Sequence, residues 1–259
     1  MSDERLRALE RRYRETGAEE DEAAWLAARL RAAELEPARA LLLAALGHPA
    51  ALAAIEDAAE VFQSDYLRYL RAGLRAQEPE LLQAHLSACG REAGERAALA
   101  LGRAAAAAHA GSELQEAQTL HASWQEEGGE PSPPLAARVR ALSDALGERQ
   151  RELWRRRRVE VQVTAAAVDL ALALLRAVGR RPQGVPVTIE LSCRLEDGAL
   201  IRCTVRRNTP ESEAATGAVG LLHSFVDLLL ALEPGLPRPE AYARGRAALL
   251  LGLAPWLVG

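Results

Sequence analysis

Four consecutive arginines in the second half of the chain are the residues best placed to do chemistry. Arg155, Arg156, Arg157 and Arg158 directly follow Trp154 at the end of a predicted helix. Guanidinium groups form paired hydrogen bonds with phosphate and carboxylate, so this cluster is predicted to bind an anion or a partner protein. The alternative is a solvated helix end, where arginine is favourable because it faces the negative end of the helix dipole.

Three further arginines, Arg194, Arg202 and Arg206, lie on the polar side of a predicted β-hairpin and extend this candidate anion-binding face. An ordinary solvent-facing side is the other interpretation. Residues 159–207 contain no Phe, Tyr or Trp on which bases could stack. Any nucleic-acid binding there would therefore involve backbone phosphates, with strong salt dependence and little sequence specificity.

An aromatic stripe in the first half is a candidate partner groove. Phe62, Tyr66 and Tyr69 recur with Leu70 at the spacing of one helix face. Aromatic residues are favoured as anchors at protein interfaces. Packing between neighbouring helices produces the same pattern and is the default interpretation.

Catalytic residues, metal ligands and cofactors are not predicted. All 32 basic residues are Arg, and the absence of Lys excludes a Walker A lysine, a Schiff-base lysine and the protein-kinase ATP-site lysine. No GxSxG, GxGxxG, HExxH or EF-hand pattern occurs. His85 and Cys89 could ligate one metal with His109 or His121, but a half-buried histidine and a buried structural cysteine are the favoured explanation.

The first 110 residues are predicted to form short helices separated by Gly and Pro, over 3–15, 19–35, 37–46 and 49–60. A weak repeat runs through them. Trp25-Leu26, Glu36-Pro37 and Gly47 recur as Tyr66-Leu67, Glu78-Pro79 and Gly90, at offsets of 41 to 43 residues. This period is typical of HEAT-like and armadillo-like helical repeats, although Ala/Leu/Arg-rich helices also align by chance.

The segment Leu9–Gly17, together with Asp21–Leu26 and Gly47–Ala51, resembles the leading helical segment of functionally uncharacterised, Arg/Ala-rich proteins of myxobacterial type. The resemblance covers about the first 55 residues. It implies a helical-repeat module and a bacterial source with a high-GC genome. It assigns no functional residue.

The Gly/Pro-rich segment 127–134 is predicted to link a helical region, 1–126, to a second region, 135–259. The second region starts with a helix and then alternates valines at 159, 161 and 163, a short strand signal. Its later elements are a helix over 164–178, strands over 187–195 and 199–207, and helices over 210–232 and 240–253. This order predicts a small three-stranded sheet covered by helices, so the predicted fold class is α+β, mainly α.

The predicted hairpin has a three-residue loop, 196–198, with Gly198 in the left-handed conformation. That register places Cys193 opposite Ile201 and Cys203 opposite Leu191, so the apolar residues share one face. The two cysteines are then diagonal neighbours, and no disulfide is expected.

Charge is divided unevenly along the chain. The formal net charge of −4 is the sum of −9 in residues 1–132 and +5 in residues 133–259. Either the two halves complement each other within the chain or an oligomer, or the basic half binds nucleic acid or an acidic partner.

The start of the chain lacks the apolar core of a signal peptide, and no apolar run is expected to span a bilayer. A cytoplasmic location is therefore predicted. The apolar stretch 249–258 is expected to pack onto the preceding helices, with external docking as the alternative. Together these features predict a non-enzymatic protein–protein interaction module, an adaptor or regulatory subunit of a bacterial assembly, which binds another protein or itself. The alternative function is phosphate or nucleic-acid backbone binding through the Arg-rich second half.

Overall fold

The computed structural model describes residues 3–62, 79–127, 132–156, 162–177, 191–196, 199–205 and 210–259. Most of them lie in α-helices: α1 Asp3–Thr16, α2 Glu19–Arg31, α3 Pro37–Ala45, α4 Pro49–Asp57, α5 Pro79–Ala88, α6 Arg91–Ala108, α7 Ser112–Glu126, α8 Pro133–Arg156, α9 Gln162–Ala177, α10 Pro210–Leu232 and α11 Arg238–Val258. A 3-10 turn, Ala59–Val61, follows α4. Strands β1 Leu191–Glu196 and β2 Ala199–Val205 form an antiparallel pair.

The predicted α+β class with a three-stranded sheet is wrong, because the packed body is all-α. Every core residue that the structure describes lies on a helix or in a short connection between helices. The strands within the described ranges form only the β1–β2 pair. Gln162 and Val163, the predicted end of the first strand, begin α9 instead. Three alternating valines are too short a signal to override the helical pattern that follows them.

The register of the hairpin also differs from the prediction. Glu196 pairs with Ala199, so two residues connect the strands, and Cys193 pairs directly with Cys203. A register shift beyond Arg194 leaves Ile201 without a partner, as in a β-bulge. This extra residue lets a short connection keep the apolar positions of the two strands aligned, which strict alternation along the strands does not allow.

Helix α10 lies at the centre of the bundle, where it packs against α5, α6, α9 and α11. An added Cβ at Gly94 would lie 2.6 Å from the carbonyl carbon of Ala214, so a glycine is needed where α6 approaches α10. Among the described helices, Glu213–Leu232 is the one stretch long and apolar enough to cross a membrane by length and composition. Half of its apolar window is buried in the core, as in a central helix of a bundle.

One apolar cluster includes residues from both predicted regions, 1–126 and 135–259. An ion pair also connects them, because Arg149 on α8 lies 2.8 Å from Glu113 on α7. The predicted linker joins α7 to α8, and its residues 128–131 lie outside the described residues. The division into two regions stays a prediction.

The layout of the first helices is compatible with a helical repeat. Pro37 begins α3 and Pro79 begins α5. Gly47 and Gly90, both with φ of +89°, follow these helices and lead into α4 and α6. Proline favours the first helical turn and glycine the left-handed position after the last, so the matched spacing has a local physical cause. The pair 66–67 lies outside the described residues.

Ala33 ends α2 in a left-handed conformation, with φ of +57°. The Glu34 N–H donates to the Arg29 carbonyl and the Ala33 N–H to the Leu30 carbonyl, a Schellman motif that ends the helix before the predicted residue 35. A side chain is unfavourable in this conformation. We therefore expect Ala33→Gly to raise the free energy of unfolding in urea by about 0.5–1 kcal/mol.

The matched control is Ala32→Gly, one residue earlier with φ of −84°. This change relieves no strain and only adds freedom to the unfolded chain, so it should lower the stability. Equal losses of stability in both variants would show that the left-handed alanine carries no strain.

Candidate functional site

The structure places part of the predicted arginine face. Trp154, Arg155 and Arg156 form the last turn of α8, and residues 157–158 lie outside the described residues. Arg194 and Arg202 are direct register partners across the hairpin, whereas Arg206 lies outside the described residues. Their assignment to anion or partner binding stays a prediction.

Of the three residues in the predicted aromatic groove, the structure describes only Phe62. Phe62 is half-buried and packs against the core directly after the 3-10 turn. Tyr66 and Tyr69 lie outside the described residues. Their role in partner binding therefore stays a prediction as well.

His85 lies on α5, and Cys89 directly follows that helix. Burial lowers the pKa of His85 to about 4 and raises the pKa of the Cys89 thiol to about 12. Metals bind the thiolate form of cysteine, which this environment disfavours. Within the described ranges, no group of three or more His, Cys, Asp or Glu residues could hold a metal ion.

The C-terminal helix α11 has a buried face and an exposed one. Leu249, Leu253 and Leu257 are buried, so the apolar C-terminal stretch packs onto the body of the protein. Leu251 faces outward and is 80% exposed. Pro255 has no N–H group, so it cannot donate the usual helical hydrogen bond to the Leu251 carbonyl.

A groove of about 510 Å³ lies beside Leu251, between α6 and α11. Its walls combine apolar side chains with two arginines: Arg96, Leu99, Ala100, Arg103, Ala104, Ala248, Leu251 and Gly252. An added Cβ at Gly252 would collide with the Cβ of Ala100. The small residues at this crossing therefore bring the two helices together and fix the groove.

Trp256 lies between two guanidinium groups. The Arg39 guanidinium is 4.8 Å from the centre of the indole ring and that of Arg96 is 5.3 Å away. Arg39 also donates a hydrogen bond of 3.3 Å to the Trp256 carbonyl. Cation–π attraction and the negative end of the helix dipole both favour this arrangement, which holds the end of α11 in place.

The charge around the groove is positive. Arg39 lies 3.6 Å from Glu36 and Arg96 lies 2.7 Å from Glu92, both as ion pairs. Arg103 is exposed and has no ion-pair partner among the described residues. We use the name Leu251 patch for five residues: Leu251, Trp256, Arg39, Arg96 and Arg103.

The sequence offers external docking of the stretch 249–258 as an alternative to packing, but it does not identify the Leu251 patch as a whole. The visible signal is Trp256 within an otherwise aliphatic stretch, because tryptophan is a common interface anchor. Arg39, Arg96 and Arg103 are far from Trp256 in the sequence, and only the packing of α3, α6 and α11 brings them together.

No protein-family model matches this chain, and no curated protein or solved structure is similar to it. The resemblance of about the first 55 residues to myxobacterial-type proteins stays a prediction. The geometry of the described residues is therefore the basis for the function proposed below.

Proposed function

We propose that this protein is a non-enzymatic protein–protein interaction module, an adaptor or regulatory subunit of a cytoplasmic bacterial assembly, and that its partner docks on the Leu251 patch. The observation that carries the proposal is the 80% exposure of Leu251. Burial of a leucine side chain contributes about 1.5–3 kcal/mol. Among the large apolar residues that the structure describes, Val61 is the other exposed one, at 36%.

The surroundings of Leu251 support docking. A single exposed leucine is ordinary on a protein surface. Here it lines a groove together with Arg96, which also contacts Trp256, and Trp and Arg are the residue types most enriched at binding hot spots. Trp256 is already held by Arg39 and Arg96, so little side-chain entropy is lost when a partner covers it.

The chemistry of the groove favours an acidic amphipathic segment. Leu99 and Ala248 offer apolar contact, and Arg103 offers a guanidinium without an ion-pair partner among the described residues. A helix in the groove could place its apolar face against Leu251 and its carboxylates toward the arginines. Complementary charge would also speed association and exclude basic competitors.

Leu251→Asp tests the proposal. We expect partner affinity to fall at least tenfold, or about 1.4 kcal/mol, because the apolar contact is lost and a carboxylate is buried. The free energy of unfolding should stay within about 0.5 kcal/mol of wild type, because the side chain is exposed. Val61→Asp, outside the patch, is the matched control.

The measurement uses the tagged full-length chain recovered from its native host. The protein that co-purifies with wild type and Val61→Asp but not with Leu251→Asp is identified and purified. Its affinity for the three chains is then determined by calorimetry. Equal affinity for both variants would contradict docking at this patch, and recovery of a second copy of this chain would indicate self-association.

A second function, binding to phosphates of a nucleic-acid backbone, is favoured by one feature of the hairpin. Arg194 and Arg202 are direct register partners, so the backbone places two arginines at matching positions of neighbouring strands. Two guanidinium groups suit a phosphate, which accepts several hydrogen bonds. Duplex DNA affinity that falls with salt and with alanine at both positions would support this function, and a salt-independent affinity would reject it.

A further inference from the structure

A second cavity, separate from the Leu251 patch, lies inside the bundle between α6, α7, α9 and α10. Its volume of about 320 Å³ falls at the lower end of the range for small-molecule sites. Glycines and alanines form part of its wall: Gly94, Ala98, Ala173, Ala214, Gly217, Ala218 and Gly220. The wall therefore offers a flat apolar surface with room for a compact ligand.

His121 on α7 lines this cavity and is 1% exposed. Neither of its ring nitrogens has a hydrogen-bond partner among the described residues. Burial lowers the pKa of His121 to about 4, so the ring is neutral near pH 7 and presents one donor and one acceptor. Buried polar atoms are nearly always paired, so a ligand with a neutral hydrogen-bonding group is the simplest partner for this ring.

Four charged side chains also line the cavity. Arg91 and Glu95 form an ion pair of 2.6 Å and neutralise each other. Arg176 and Glu213 also line the cavity, and neither has an ion-pair partner among the described residues. The Arg176 guanidinium, whose charge also acts on Asp169, and the Glu213 carboxylate are complementary to a ligand that carries both charges.

We propose that this cavity binds a small zwitterion with an apolar body and one neutral hydrogen-bonding group, of the chemical class of a free aromatic amino acid. Arg176 binds the carboxylate through its fork of N–H donors, and Glu213 binds the ammonium group. The apolar body lies against the glycines and alanines of α6 and α10. His121 forms a hydrogen bond with the neutral polar group at the inner end.

Four probes separate these contributions by calorimetry and thermal shift on the full-length chain. L-tyrosine carries all the groups, L-phenylalanine lacks the hydroxyl, tyramine lacks the carboxylate, and 3-(4-hydroxyphenyl)propionate lacks the ammonium. We expect tyrosine to bind and raise the melting temperature, and each of the other probes to bind at least tenfold more weakly. Failure of all four to bind would overturn the proposal.

A cavity-filling variant locates the binding site. Gly217 lines the cavity, and an added Cβ there meets no atom within 4 Å, so Gly217→Leu is expected to place its side chain in the cavity. Gly147 on α8 has equally open surroundings but does not line the cavity, so Gly147→Leu is the matched control. Tyrosine binding should be lost in the first and kept in the second. Binding that survives Gly217→Leu would contradict the proposal.

Arg176→Gln gives a second readout that does not depend on cavity packing, because Arg176 is exposed. This variant should weaken tyrosine binding to the level of tyramine and leave tyramine binding unchanged. A variant that keeps the tenfold preference for tyrosine would show that Arg176 does not bind the carboxylate.

Discussion

Acidification from pH 7 to pH 4 is expected to lower the free energy of unfolding by about 6 kcal/mol through two buried histidines. His85 is 2% exposed and His121 is 1% exposed, and burial lowers the pKa of each from 6.5 to about 4. Between these pH values the unfolded chain binds protons that the folded chain does not. The contribution of each histidine to the free energy of unfolding is therefore fully present above pH 6.5. It is lost as the pH drops toward 4, by about 3 kcal/mol for each histidine.

Urea unfolding at half-unit steps from pH 7.5 to 4 measures how steeply the free energy of unfolding falls with pH, which is the slope used below. The double variant His85→Gln, His121→Gln should lose most of the slope, whatever its absolute stability. His109→Gln, at a half-buried position, should retain it. An unchanged slope in the double variant would show that other groups cause the acid sensitivity.

Trp124→Ala is expected to lower the free energy of unfolding by about 3–5 kcal/mol. Trp124 on α7 is 1% exposed, and its ring centre lies 6.1 Å from that of His121. Removal of the indole leaves a large cavity beside the apolar cluster, and the surrounding helices can fill it only in part. Chemical denaturation of the full-length chain at pH 7 measures the loss.

Trp124→Phe is the matched control for that loss. The indole Nε1 has no hydrogen-bond partner among the described residues, so phenylalanine removes an unpaired buried donor and keeps most of the ring. Its cost should stay below about 1.5 kcal/mol. A loss below 1 kcal/mol in Trp124→Ala itself would mean that α7 does not contribute to the cooperative core.

The helices could be predicted from the sequence wherever local residues set their ends. Pro37, Pro49 and Pro210 each begin a helix at the predicted residue. The C-terminal helix is longer than predicted, Arg238–Val258 rather than 240–253, and continues through Pro255. Its packing on the body and the arginines that bind its last carbonyls are tertiary effects, which no local signal contains.

The predictions of a strand at the valines 159, 161 and 163 and of the hairpin register are wrong for a different reason. Both inferences counted alternation in short segments, and alternation is informative only when it continues over a whole strand. The valines near α9 were followed by a much longer helical pattern. The unpaired Ile201 shifts the hairpin register, and the two-residue periodicity of a strand cannot predict such a bulge.

The Leu251 patch could not be predicted because leucines occur on all sides of α11. Leu249, Leu250, Leu251 and Leu253 are nearly consecutive, so their spacing does not define one apolar face. Which of them is exposed depends on how α6 crosses the helix, at Gly252 and Ala100. For His121 the sequence likewise suggests no role beyond that of a metal ligand, because its cavity is formed by four helices, two of which come much later in the sequence.

Site-specific photo-crosslinking tests the central claim most directly, because it records contact at a chosen residue. A benzophenone side chain placed at position 251 of the full-length chain should crosslink one protein in the native host. The crosslinked segment should be rich in Asp and Glu with apolar residues at helical spacing, and the same probe at position 61 should not capture it. The absence of a product at position 251, or identical products at both positions, would contradict docking at the Leu251 patch.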